Sequence, residues 1–113
     1  MEKAESEQKI AQLQLMEQNL QNILMQRNQF QSQLLEIENA LNELKETNKA
    51  YKIVGNIMVA SNKETLTKDL NEKREMIEVR IKNIEKQEQN LKEKSKKLQA
   101  EILSSIKGEN GQE

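Results

Sequence analysis

The sequence has no cysteine, histidine, proline or tryptophan, and its only aromatic residues are Phe30 and Tyr51. Without cysteine there are no disulfides and no thiolate metal sites. Without histidine or cysteine, the commonest nucleophile–base pairs have no members to draw on. Two aromatics among 113 residues are too few for an ordinary globular core. The three glycines form no phosphate-cradling loop. No stretch approaches the ~20 apolar residues of a membrane span, and the opening "MEKAESEQK" lacks the hydrophobic region of a secretory signal. Eighteen Lys and Arg against 19 Asp and Glu leave a net charge of −1, which favours neither nucleic acid nor an anionic membrane. These absences lead us to expect a soluble, cytoplasmic protein of one domain, residues 1–113, that is not an enzyme and uses no cofactor or metal.

What remains is rich in Glu, Lys, Gln and Leu, with 33% of residues charged. That composition suits long helices or coiled coil, although high charge and low hydropathy also suit disorder. The spacing of the aliphatics decides against disorder. Leu13, Leu20, Leu34 and Leu41 share one heptad position, while Met16, Ile23, Phe30, Ile37 and Leu44 share its companion. Arg27 is the one polar interruption between Leu13 and Leu44. In the second half, Leu70, Ile77, Ile84, Leu91 and Leu98 recur every seven residues, accompanied by Arg74, Ile81, Glu88, Ser95 and Ile102. Two coiled-coil seams of this length predict helices over 5–48 and 62–107. "SNKE" reads as a capping box with Ser61 as N-cap and Glu64 reaching back. Gly108 closes the second helix, leaving 108–113 as a disordered tail.

Two amphipathic helices joined by about a dozen residues fold back as an antiparallel pair, each burying its stripe on the other. A continuous parallel dimer is disfavoured, because Gly55 and the β-branched run lower helix propensity where the heptads stop. In either plausible register, Arg27 and Glu88 fall within about one layer of each other. Arg27 then has two roles open to it: snorkelling out of the seam, or an ion pair that sets register.

The insert itself, "AYKIV" at 50–54 and "IMVA" at 57–60, has strand composition around Gly55-Asn56. Glycine first in a two-residue loop suits a type II′ hairpin turn, pairing Val54 with Ile57, Ile53 with Met58 and Tyr51 with Ala60. Only Lys52 is charged, so both faces of the ribbon are largely apolar. A lone two-stranded hairpin is marginal in water, and its open edges invite further strands. Assembly of hairpins from several chains into a closed or layered sheet resolves both problems better than folding the hairpin over its own coil.

At the opposite end lie apolar residues beyond the needs of the seam: Ile10, Leu15, Leu103 and Ile106. With Leu13, Met16 and Ile102 they make an apolar tip, to be read either as frayed ends with incidental apolars or as a binding surface. Leu24, Met25, Leu35, Met76 and Val79 are also off the stripe, which leaves both readings open. The basic run "KEKSKK" at 92–97 is interrupted by Glu93 and reads as a solvated face. The remaining carboxylates sit at helical spacing on such faces too.

A long helix, then "AYKIVGNIMV", a polar turn into "KETL" and a second long helix together resemble the β class of the prefoldin family, most closely its archaeal form. The resemblance covers essentially the whole chain, and Ala50 to Val59 is its most specific part. It implies a mainly α fold, a long antiparallel two-helix coiled coil joined by one short β-hairpin that assembles into an intersubunit β-barrel. It implies an ATP-independent holdase within a hexamer of two α-class and four β-class subunits, which captures unfolded polypeptides and delivers them to a group II chaperonin. Tyr51, Ile53, Val54, Gly55, Ile57, Met58 and Val59 would then be oligomerisation residues. Ile10, Leu13, Leu15, Met16, Ile102, Leu103 and Ile106 would be client contacts. The alternative from a different class is a structural adaptor or spacer that docks one specific folded partner at its tips. A helical arm that binds RNA is a third reading, which the charge balance disfavours.

Overall fold

A computed structural model describes residues 3–110, and the side chains of 3–107. The chain is mainly α, with element order α1 (Lys3–Glu46), β1 (Ala50–Val54), β2 (Ile57–Ser61) and α2 (Lys63–Asn110). Two long helices are thus joined by a short antiparallel β-hairpin.

The helices form because apolar residues recur at steps of three and four, which places them on one face. Burial follows that face. Ile77, Ile81, Ile84, Leu98 and Ile102 are buried on α2 and Leu41 on α1, while Leu20, Ile23, Phe30, Leu34, Ile37, Leu44, Leu70 and Leu91 are half-buried. No side chain among the described residues is wholly excluded from solvent. A two-helix seam has only one partner for each stripe, so its stability is a sum of partial burials rather than a deep core.

Two compact units divide the chain, one formed by residues up to Arg27 with those from Ile84 onward, the other by residues 28–83. In the first, Lys9 pairs with Glu101 and Arg27 with Glu88. Position on α2 falls as position on α1 rises, which is the mark of antiparallel pairing. In the second, the Arg80 guanidinium lies 5.8 Å from the centre of the Phe30 ring, a cation–π distance.

Four helix boundaries differ from those the sequence predicts, the first being the start of α1 at Lys3 rather than at residue 5. α1 ends at Glu46 because the Thr47 hydroxyl accepts the Lys49 N–H at 3.2 Å and turns the chain locally. α2 begins one residue later than a Ser61 cap requires. Ser61 is instead the last residue of β2, paired with Ala50. Asn62 takes the cap: its Oδ1 accepts the Glu64 N–H at 2.9 Å, and its carbonyl accepts the Leu66 N–H at 3.0 Å. With Asn62 capping, Glu64 is the second helical residue rather than the third, so the reciprocal capping box does not form. Finally, α2 runs through Gly108 to Asn110. One glycine within a helix costs only about 1 kcal/mol relative to alanine, too little to stop a long helix alone. Of the expected tail, residues 111–113 lie outside the described residues.

Candidate functional site

The hairpin pairs Ala50 with Ser61, Tyr51 with Ala60, Lys52 with Val59, Ile53 with Met58 and Val54 with Ile57. Gly55 has φ +62°, and no other of the described residues has positive φ. Positive φ at the first central residue alone is the geometry of a type II′ turn, whose twist matches that of paired strands. Because side chains alternate along a strand, one face carries Tyr51, Ile53, Met58 and Ala60. The other carries Lys52, Val54, Ile57 and Val59.

Both faces are bare. Every residue from Tyr51 to Ala60 is exposed, with Ile53 at 70% and Ile57 and Met58 at 65%. Only Ala50, at the root of the ribbon, is buried. Full burial of one such aliphatic side chain is worth about 1.5–3 kcal/mol, so a strip of five or six is a large unsatisfied driving force on so small an element.

In the seam, the Arg27 guanidinium donates to Glu88, with Nη1 2.5 Å from Oε2. The other carboxylate oxygen, Oε1, pairs with Lys92 Nζ at 2.9 Å one helical turn away. Glu88 retains 6% of its surface. The Lys92 hydrogen bond and the Arg27 charge together outweigh the desolvation of Glu88 and hold its carboxyl below the usual range. Of the two roles open to Arg27, the structure selects the ion pair, and it leaves the buried Arg27 Nε without a partner.

The seven residues expected at the tip separate into two groups. Ile10, Leu15, Leu103 and Ile106 are exposed, Leu15 and Leu103 by more than half. Leu13 and Met16 are half-buried and Ile102 is buried. The heptads already carry this distinction, since Leu13, Met16 and Ile102 occupy seam positions and the other four do not. The ion pair from Lys9 to Glu101, at 3.2 Å, joins the two helices within this stretch.

Among the described residues no cluster of acidic side chains is arranged to hold a metal ion, and no helix is long and apolar enough to cross a membrane.

The comparisons with known proteins agree with this architecture along almost its full length. The family model for prefoldin subunits matches residues 7–109. The chain belongs to the prefoldin family. It is 38% identical over 105 residues to the prefoldin subunit beta of Archaeoglobus fulgidus, covering 90% of each chain. It is 40% identical over 99 residues to that of Methanospirillum hungatei, covering 85% of this chain and 82% of the relative. Among solved structures, the crystal structure of the prefoldin beta subunit from Thermococcus strain KS-1 superposes with a TM-score of 0.84 at 35% identity. That likeness covers 89% of this chain and 91% of the other. Membership of the prefoldin family implies assembly with other prefoldin subunits and a chaperone rather than a catalytic role.

Proposed function

We propose that the chain is the β-class subunit of an ATP-independent holdase, which captures unfolded polypeptides at the ends of its coiled coil and delivers them to a group II chaperonin. The observation that carries this reading is a hairpin exposed on both apolar faces in a chain whose relatives are prefoldin β subunits. Such a hairpin is completed by strands from other chains, and the holdase would be a cytoplasmic hexamer of two α-class and four β-class subunits joined by β-barrels. Tyr51, Ile53, Val54, Ile57, Met58 and Val59 form its apolar joint, with Gly55 setting the turn.

Ile10, Leu15, Leu103 and Ile106 supply the exposed client contacts, and Leu13, Met16 and Ile102 are the more buried members of the same stretch. Isolated aliphatic side chains on helices bind adaptably and weakly, and several tips on one client gain affinity by multivalency. Release then requires no nucleotide, because no single contact is strong.

The deciding experiment measures light scattering of a denatured test protein diluted into the purified co-assembly with an α-class subunit. Suppressed scattering without ATP is the expected result, and unchanged scattering would remove the holdase reading. Removal of residues 1–16 and 101–113 distinguishes it from an adaptor. A holdase keeps its assembly and loses many unrelated clients, whereas an adaptor loses one partner.

A further inference from the structure

Carried back toward the hairpin, the α2 seam does not stay apolar. Seven residues before Leu70 stands Lys63, and the companion positions are Thr67 and Arg74. Facing them within the same compact unit, α1 presents Glu38, Leu41, Asn42 and Lys45, one stripe at steps of three and four. Between the stripes lies a groove of about 590 Å³, to which Leu44 and Asn71 also contribute.

Three cations line this groove against the single carboxylate of Glu38. Among the described residues, the ion pairs are Lys9–Glu101, Arg27–Glu88 and Lys92–Glu88, and none includes Lys45, Lys63 or Arg74. Lys45 is partly offset by the negative end of the α1 dipole. Lys63, at the first residue of α2, sits instead on a positive helix end. The contrast between the two seam arginines is sharper. Arg27 finds its carboxylate in this chain, and the half-buried Arg74 does not. A guanidinium keeps its charge at any working pH and calls for an anionic partner where it is part-desolvated.

We propose that this groove binds an acidic stretch of another polypeptide, its carboxylates meeting Arg74 and Lys63 and its aliphatic neighbours meeting the half-buried Leu44. Shape favours a peptide over a small anion. From Lys63 to Arg74 the groove follows roughly 16 Å of helix at ~1.5 Å per residue, the span of about five extended residues at ~3.3 Å each. The amides of Asn42 and Asn71 offer donors and acceptors suited to a peptide backbone. The Thr67 hydroxyl is already committed to the Lys63 carbonyl at 2.8 Å. This site is separate from the hairpin faces and from the distal apolar residues, and it does not rest on the holdase reading.

The test is fluorescence anisotropy of the full chain with a labelled, end-blocked pentapeptide that alternates Leu and Glu. A second peptide carries Gln in place of Glu, and inorganic phosphate serves as competitor. The Gln peptide should bind at least about tenfold more weakly, the weight of two or so charge-assisted contacts. Arg74→Gln combined with Lys63→Gln should weaken the acidic peptide by about tenfold, while Arg74→Lys stays within about threefold of wild type. Circular dichroism establishes that each variant keeps its helices. Equal binding of the two peptides, or unchanged affinity in the double variant, overturns the proposal. Complete displacement by phosphate at the same concentration as the peptide also overturns it, because the groove would then be a simple anion site.

Discussion

Arg27 and Glu88, 61 residues apart in sequence, form a 2.5 Å ion pair inside a largely apolar seam. Each interrupts its own heptad, and each interruption answers the other. One slip of the helices by a heptad would bury a carboxylate without its guanidinium, so the pair penalises every register but one.

Removing one partner should therefore cost more than removing both. Glu88→Gln and Arg27→Met are each expected to lower stability by about 1–3 kcal/mol, the range for leaving a buried polar or charged group unsatisfied. The double change to leucine is expected to be neutral or stabilising. Urea unfolding of all four proteins under identical assembly conditions gives the comparison. A double variant that loses as much as the two single variants together would show that the pair does not act as a unit.

Glu88 also gives the protein an acid sensitivity of definite sign. Its folded carboxyl titrates below the ordinary value of 4.5, so the unfolded chain takes up the proton first as pH falls. The stabilisation is fully present above about pH 4.5 and disappears as pH drops through the lowered folded value. Thermal melts across this window should show a shallower decline for Glu88→Gln than for wild type. Parallel curves would mean that other carboxylates carry the dependence.

The hairpin should be dispensable for the helices and indispensable for assembly. Ile53 and Ile57 lie on opposite faces of the ribbon and are exposed, so Ile53→Asp with Ile57→Asp is expected to cost the isolated chain little. In the assembled protein each charge would enter a desolvated joint. We expect unchanged helical circular dichroism together with loss of the high-mass species in analytical ultracentrifugation. Retention of that species would place the joint elsewhere.

Around Leu15 and Leu103, exposure separates binding from packing. Leu15→Ser with Leu103→Ser should alter stability by no more than ~0.5 kcal/mol, as usual for surface positions, while weakening suppression of aggregation. Ile102→Ala should do the reverse first, destabilising by about 2 kcal/mol or more because it empties a seam position. Chaperone assays and unfolding curves on the same preparations separate the two effects.

Much of this molecule is written in periodicity. A repeat of seven along each half places a stripe of aliphatics on each helix, and that stripe can be buried only against another, so the two-helix architecture follows from the sequence. Strand composition around Gly55 likewise determines the hairpin and its register, since a two-residue turn with glycine first leaves one pairing. Tertiary structure decided what periodicity leaves degenerate. Ser61 and Asn62 are equally good caps, and the choice fell to Asn62 only because Ser61 is held in the strand by Ala50. Arg27 was free to snorkel or to pair until the helices aligned and brought Glu88 to it. Arg74, on the same kind of seam position, lines a groove and forms no ion pair among the described residues. Sequence periodicity assigns a residue to a face, but the partner on the opposing face depends on register and local separation, which only the packed helices set.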